Sequence, residues 1–119
     1  MSKLLIVDDE IDIREFAKNF FQKRGIAVFT ASGGQEALEI IEQETPDLVL
    51  LDVCMEDMTG VEVLRELRTK HNSVKVIMVT GVEEQAVLEE TKALGVVQYI
   101  HKPLILEELE KVVMEELKT

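Results

Sequence analysis

The sequence contains a single cysteine and no long apolar run, and both absences exclude whole classes of protein. Cys54 cannot form a disulfide within the chain, which is typical of proteins of a reducing cytoplasm. The longest apolar run near the N-terminus covers residues 4–7, too short for the hydrophobic region of a signal peptide. No later segment is apolar over the length that a membrane span needs. We therefore expect a cytoplasmic protein that has no membrane partner.

Basic residues are scarce relative to acidic ones. The chain has 13 Lys and Arg against 24 Asp and Glu, which gives a formal net charge of -11. Proteins that bind nucleic acids contact the phosphates through clustered basic side chains, so this balance argues against direct nucleic-acid binding. An acidic chain is better suited to a site that collects cations.

Linkers, internal repeats and low-complexity segments are also missing. The 119 residues are 46% hydrophobic and 31% charged, which is an ordinary composition for a globular domain. A chain of this length buries about two-thirds of its unfolded surface, enough for a core without disulfides. We expect one domain, residues 1–119, with no room for an output module.

What the sequence does contain is an alternation of five apolar bursts with helix-like segments. The bursts cover residues 3–7, 26–31, 48–51, 74–79 and 96–100. Residues 48–51 and 76–79 are apolar at every position, as expected of strands buried on both faces of a parallel sheet. The intervening segments show helical spacing, most weakly at residues 83–94. We predict an α/β fold with five parallel strands in the order 2-1-3-4-5, doubly wound by five helices.

Local signals mark several helix ends. Ser32-Gly33-Gly34-Gln35 fits a capping box that would open the second helix. Gly25 and Gly95 follow the first and fourth helical segments, where a glycine commonly ends a helix. Phe16 belongs to the apolar stripe of the first segment, and we expect it to face the core.

Ionisable and hydroxyl side chains follow four of the predicted strands. Asp8 and Asp9 follow strand 1, Asp52 follows strand 3, Thr80 strand 4 and Lys102 strand 5. The carboxyl ends of parallel strands meet at one edge of the sheet, and ligand sites form there beside the switch point between strands 1 and 3. Clustered carboxylates with few cations favour a hard divalent ion, and a partly open site suits Mg2+. The assembly predicts a phosphoryl site in which Asp52, on the central strand, is the nucleophile.

The motifs around these residues give a specific resemblance. They are VDDE at residues 7–10, PDLVLLD at 46–52, Met58 and Gly60 in the following loop, VTG at 79–81 and YIHKP at 99–103. In this order and spacing the chain resembles the receiver domain of two-component response regulators along its whole length. Each motif alone is weak, and the combination is highly specific.

The resemblance implies roles for individual residues. Asp52 would accept a phosphoryl group from the phosphohistidine of a sensor histidine kinase or a histidine phosphotransfer protein. Asp9 would bind Mg2+ directly and Asp8 largely through water, with Asp52 and the backbone carbonyl of Cys54 completing the protein ligands. Thr80 and Lys102 would hold the phosphoryl oxygens.

The resemblance also implies a switch. Thr80 would move toward the phosphoryl group and Tyr99 would swing inward, which repacks the face of helix 4, strand 5 and helix 5 for an unnamed downstream protein. Phosphorylation-dependent homodimerisation is an open alternative. The module would act by binding partners, and would catalyse only its own phosphorylation and dephosphorylation.

The loop after Asp52 departs from the family pattern. Receivers usually carry Met-Pro and later Asp-Gly there, whereas this chain has Met55-Glu56 and Thr59-Gly60. Loss of the proline predicts a looser loop, and Glu56 adds a negative charge near the site. Cys54 is expected to be a small packing residue beside the site.

Three other functions compete with the receiver interpretation. A Mg2+-dependent phosphatase would use the same aspartyl chemistry, but it would need an acid two residues after Asp52, where Cys54 stands. A flavin-binding protein shares the sheet order, but its phosphate loop after strand 1 should not be acidic. A degenerate receiver that acts as a scaffold is a further alternative, against which stands the complete set of Asp8, Asp9, Asp52, Thr80 and Lys102.

Overall fold

The computed structural model describes residues 1–81 and 85–118, with Gln85 described in its backbone only. The strands are β1 (Lys3–Val7), β2 (Ala27–Ala31), β3 (Leu48–Asp52), β4 (Lys75–Thr80) and β5 (Gln98–His101). The helices are α1 (Ile11–Gln22), α2 (Gly34–Glu44), α3 (Gly60–Thr69), α4 (Gln85–Ala93) and α5 (Leu106–Lys118). The first two residues of the predicted helical segment 83–94 lie outside the described residues.

The strands form one parallel sheet in the order β2-β1-β3-β4-β5, which confirms the predicted fold. Every residue of β3 is buried, as is nearly all of β1 and β4, because helices cover both faces. Alternate strand residues therefore enter two separate cores. One core, which includes Leu5 and Val49, packs against α2 and α3, and the other, which includes Leu4 and Leu48, packs against α1 and α5.

The register brings the carboxyl ends of the strands to one edge. Val7 pairs with Leu51, Asp52 pairs with Val79, and Thr80 pairs with His101. The residues that follow β1, β3, β4 and β5 consequently share one rim, as the strand-end argument requires.

Arg68 joins the end of α4 to the segment before β4. Its guanidinium donates to the carbonyl of Leu94 at 2.7 Å and to those of Asn72 at 2.8 Å and Val74 at 3.0 Å. Burial lowers the pKa of Arg68. These contacts hold α3, α4 and β4 together on one face of the sheet.

Several local predictions need correction. The capping box at Ser32 is wrong, because the N-cap residue of α2 is Gly33, and Glu36 instead accepts from the Ser32 amide at 2.7 Å. Phe16 is 59% exposed rather than buried. β5 begins at Gln98 rather than at residue 96, because the amide of Val96 donates to the end of α4.

The two predicted helix-ending glycines are confirmed. Gly25 and Gly95 have φ angles of 80° and 81°, in the left-handed region that glycine adopts without strain. Within residues 1–81 and 85–118, no helix combines the length and apolar character needed to cross a lipid bilayer.

Candidate functional site

Four of the predicted site residues lie at the rim formed by the strand ends. Asp8 follows β1, Asp52 ends β3, Thr80 ends β4 and Lys102 follows β5. Asp8, Asp52 and Thr80 are each at most 3% exposed. Polar groups are rarely buried this deeply unless they are paired, so the burial of these three side chains marks the rim as a candidate functional site.

Lys102 is the cation at the centre of this rim. Its Nζ lies 3.0 Å from Asp52 Oδ2, 3.7 Å from Asp8 Oδ2 and 3.9 Å from Glu10 Oε1. The backbone amide of Lys102 also donates to the carbonyl of Thr80 at 2.9 Å. One residue therefore contacts the ends of β1, β3 and β4 together.

Asp8, Asp9 and Glu10 form an acidic cluster beside Lys102. One carboxylate oxygen of each lies within 4.8 Å of those of the other two. The backbone around Asp8 is fixed, because its Oδ1 accepts from the Glu10 amide at 2.9 Å and Arg14 donates to its carbonyl at 2.7 Å. Hard oxygen donors grouped in this way fit Mg2+.

Glu10 was not predicted as a member of the site. Its position directly after Asp8 and Asp9 was the available signal. The sequence alone, however, does not show on which side of the rim the side chain of Glu10, the residue before α1, would lie. The structure places its carboxylate 3.9 Å from the Lys102 ammonium group.

The second oxygen of Asp52 faces the loop that follows β3. Asp52 Oδ1 accepts from the backbone amide of Cys54 at 3.2 Å. The side chain of Cys54 is exposed, so the expectation that it packs beside the site is wrong. The backbone of Cys54, by contrast, lies at the site, where its predicted role as a carbonyl ligand would require it.

Burial and charge act in opposite directions on Asp52 and Lys102. Burial raises the pKa of Asp52, and the charge of Asp8 adds to this, whereas the hydrogen bond from Lys102 lowers it; the net shift is upward from the ordinary value of 3.8. For Lys102, burial lowers the pKa, but the hydrogen bond to Asp52 and its attraction to Asp52, Asp8 and Glu10 outweigh burial and raise it. The carboxylates that raise the pKa of Lys102 would also favour the binding of a further cation.

Replacing Asp52 by asparagine is expected to raise the free energy of unfolding at neutral pH in Mg2+-free buffer. The pKa of Asp52 is raised in the folded state, so ionisation of this carboxyl costs stability above that pKa and costs nothing below 3.8, where the group is protonated in both states. Urea denaturation of wild type and Asp52→Asn at a series of pH values should show a gain that shrinks as the pH falls. A variant less stable than wild type at neutral pH would contradict this assignment.

Tyr99 lies between the rim and α4. Its hydroxyl is 2.7 Å from Thr91 Oγ1 and donates to the carbonyl of Leu88 at 3.2 Å, and its half-buried ring packs against the core on the α2 and α3 side. Thr91, on α4, is fully buried. The structure thus shows a hydroxyl contact between β5 and α4 that sequence reasoning missed.

The β3–α3 loop (residues 53–59) returns the chain to the backbone of Asp52. The amide of Gly60 donates to the carbonyl of Val53 at 2.8 Å. A Cβ at position 60 would lie 2.3 Å from the carbonyl oxygen of Asp52. Thr59 caps α3 in a reciprocal capping box with Glu62, so the start of α3 is fixed directly against the end of β3.

Comparison with known proteins identifies the class of this site. The family model described as "Response regulator receiver domain" matches residues 4–114. Sporulation initiation phosphotransferase F of Bacillus subtilis is 37% identical over 107 residues, which cover 90% of this chain and 86% of that protein. The regulatory protein AtoC of Escherichia coli is 32% identical over 99% of this chain, but the match spans only 26% of AtoC.

Solved structures agree with this assignment. The chemotaxis protein CheY4 of Vibrio cholerae has a TM-score of 0.90 at 33% identity, covering 98% of this chain and 99% of that one. The response regulator TrrA of Thermotoga maritima, solved in complex with Mg2+-BeF, has a TM-score of 0.84 at 33% identity, covering 98% of this chain and all of that one (100%).

Fold and rim together define a phosphoacceptor module of the doubly wound α/β class. The chain belongs to the response regulator receiver domain family of two-component signalling. Receiver domains are signalling modules that interact with histidine kinases or phosphotransfer proteins, and they bind Mg2+ at an acidic pocket of the kind that Asp8, Asp9 and Glu10 form here.

Proposed function

We propose that Asp52 is the residue that accepts the phosphoryl group in this module, and that residues 1–119 form one receiver domain. The observation that carries this proposal is the 3.0 Å contact between Lys102 Nζ and Asp52 Oδ2 at the buried end of the central strand. Asp8 is also buried, but its Oδ2 lies farther from Lys102 Nζ, at 3.7 Å, and Asp9 is exposed. Of these three carboxylates, Asp52 lies on the central strand and is nearest to the ammonium group.

The oxygen donors at the rim would hold Mg2+. They are the carboxylates of Asp8, Asp9 and Asp52 and the backbone carbonyl of Cys54, with Glu10 at the edge of the same cluster. When bound, Mg2+ would offset the negative charge that the carboxylates and the incoming phosphoryl oxygens bring together. Burial and the charge of Asp8 both raise the pKa of Asp52, and a bound cation would oppose this shift.

Phosphoryl transfer at this site would be a single displacement. A carboxylate oxygen of Asp52 forms a bond to phosphorus while the bond from phosphorus to the donor's histidine nitrogen breaks, and that nitrogen keeps the electron pair and takes up a proton. Lys102, and the hydroxyl of Thr80 at the end of β4, would hold the phosphoryl oxygens. Catalysis of this kind consists mainly of positioning and charge stabilisation.

The donor would be a histidine kinase or a histidine phosphotransfer protein, and an apolar surface beside the rim suits its docking. Phe16 on α1 and Ile105 before α5 are 59% and 57% exposed. Phe16 and Lys102 both line a depression of about 240 Å³ between α1 and the segment that precedes α5. This depression adjoins the site, because Lys102 lines the depression and contacts Asp52.

Thr80 and Tyr99 would transmit phosphorylation to a downstream protein. Thr80 ends β4, and its backbone is joined to Lys102, three residues after Tyr99 in the chain. Tyr99 in turn contacts Thr91 and Leu88 on α4. A change at Thr80 would therefore be passed along β5 to the surface of α4, β5 and α5. We propose that the module works in the cytoplasm, and homodimerisation through this surface is an alternative form of output.

Incubation with Mg2+ and acetyl phosphate, followed by intact mass measurement, tests the acceptor. We expect one added phosphoryl group on the wild type, none without Mg2+, and none on Asp52→Asn under any condition. Absence of an adduct on the wild type, together with no binding of the phosphoryl mimic beryllofluoride, would contradict the proposal and favour a scaffold. An adduct of equal yield on Asp52→Asn would show that another residue is the acceptor.

A further inference from the structure

The β3–α3 loop is attached to the start of α2 by one side chain. Asp57 Oδ1 accepts from the amide of Gly34 at 3.0 Å, and Asp57 Oδ2 accepts from the amide of Gln35 at 3.1 Å. Asp57 Oδ1 also accepts from the amide of Met58 within the loop, at 2.8 Å. The residue that caps α2 therefore comes from a different loop, more than twenty positions further along the chain.

The start of α2 is shaped to receive this loop. Gly33, the N-cap residue, has no side chain to cap the helix, and a Cβ there would lie 2.7 Å from Asp57 Oδ1. A Cβ at Gly34 would lie 2.8 Å from the Cβ of Met58. A side chain at either position would therefore collide with Asp57 or Met58, so the two glycines allow the loop to lie directly against the start of α2.

The attachment also stabilises the negative charge of Asp57. The amides of Gly34 and Gln35 lower the pKa of Asp57, so the carboxylate stays ionised at the positive end of the α2 dipole. Asp9, Glu36 and Glu56 line the same surface depression as Asp57. Asp57 thus accepts from the amides at the start of α2, whereas Glu36 accepts from Ser32.

The attached loop carries the backbone groups of the site. It begins directly after Asp52 and includes Cys54, whose amide donates to Asp52 Oδ1. Its other end is fixed by the contact between Gly60 and Val53. Asp57 adds a third fixed point between these ends. The expectation of a loop loosened by the missing proline is therefore incomplete, because Asp57 supplies a restraint that the sequence pattern did not reveal.

We propose that Asp57 is a positioning residue, which holds the β3–α3 loop so that the Cys54 backbone and Asp52 keep the arrangement needed for Mg2+ binding. This inference rests on the proposed function of the rim. Asp57 would contact neither the cation nor the phosphoryl group, and would act through the loop in the way that outer contacts orient metal ligands.

Asp57→Asn and Glu36→Gln form a matched pair for the test. Each removes one negative charge from the same surface depression near the start of α2. Glu36 accepts only from Ser32, at 2.7 and 3.2 Å, among the contacts of the described residues, so its replacement leaves the β3–α3 loop attached. In Asp57→Asn one acceptor becomes an NH2 group, which cannot accept from the second amide.

Mg2+ titration by calorimetry and Mg2+-dependent phosphorylation by acetyl phosphate provide the readouts. We expect the dissociation constant for Mg2+ to rise about tenfold in Asp57→Asn and to stay unchanged in Glu36→Gln. The phosphorylation rate of Asp57→Asn at saturating Mg2+ should remain within about twofold of wild type, because the loss is in binding. Amide hydrogen exchange at Gly34, Gln35 and residues 53–59 should accelerate only in Asp57→Asn.

The outcomes separate this inference from the function on which it rests. Equal Mg2+ affinity in wild type and Asp57→Asn would overturn the positioning role, and so would an equal loss in both variants. Wild-type protein that bound no Mg2+ and formed no adduct would instead contradict the proposed function. Faster exchange with unchanged Mg2+ affinity would show that the attachment is structural only, and would also overturn the inference.

Discussion

Lys102→Met is expected to slow the phosphorylation of Asp52 by about a hundredfold or more at saturating Mg2+, the usual effect of removing a fixed charge that stabilises a transition state. Lys102 Nζ lies 3.0 Å from Asp52 Oδ2 and 3.7 Å from Asp8 Oδ2, so it is the fixed positive charge closest to the reacting oxygen among the described residues. Methionine keeps an unbranched side chain of similar length without the charge. The rate is measured with acetyl phosphate and intact mass, under Mg2+ concentrations that saturate each protein.

Lys111→Met is the control for this substitution. Lys111 is an exposed lysine on α5, so its replacement changes the net charge equally and leaves the rim intact. We expect its phosphorylation rate to match that of the wild type. If Lys102→Met were phosphorylated as fast as Lys111→Met, the ammonium group would have no part in the transfer, and its contact with Asp52 would serve only to balance charge.

Gly60→Ala is expected to lower the free energy of unfolding by about 3 kcal/mol, at the upper end of the range for an overpacked site. The added Cβ would lie 2.3 Å from the carbonyl oxygen of Asp52 and 3.0 Å from Cα of Val53. Both are backbone atoms and cannot turn away as a flexible side chain would. Because relief of this clash must displace the end of β3, we expect phosphorylation of Asp52 to fall together with stability.

Gly81→Ala is the matched control, because it makes the same chemical change at an open position. Among the described residues no atom lies within 4 Å of a Cβ built at Gly81. A change of no more than about 1 kcal/mol, in the stabilising direction, is expected there. Urea denaturation compares the two variants, and equal stabilities would show that the β3–α3 loop accommodates a methyl group by moving.

The strand-end argument missed Glu10, but it predicted which strand ends meet at the rim because topology alone brings those ends together. Once the sheet is parallel with β1 beside β3, the residues after β1, β3, β4 and β5 must share an edge. No knowledge of loop conformation is needed to place Asp8, Asp52, Thr80 and Lys102 there. The parallel sheet was predicted from unbroken apolar bursts and from the alternation of strands with helices, which also need no long-range information.

Contacts between distant loops could not be predicted in this way. The start of α2 shows why: its local sequence fits a capping box at Ser32, but Asp57 from the β3–α3 loop takes the Gln35 amide that such a box would use, and Glu36 takes the Ser32 amide. The contact between Tyr99 and Thr91 has the same origin, because it depends on how α4 lies against β5. Phe16 fits a buried stripe by spacing, yet it is exposed and lines the depression beside Lys102.

Because the sheet divides the interior into two cores, the recognition of the donor and the response to phosphorylation involve different sides of the molecule. The proposed donor surface, with Phe16 on α1, belongs to the side of the sheet packed by α1 and α5, whereas Tyr99 packs into the core on the opposite side. Substitutions around Phe16 that change which kinase is recognised can therefore accumulate while the contacts of Tyr99 with α4 stay intact, so that upstream and downstream specificity can diverge independently in evolution or be exchanged one at a time by design.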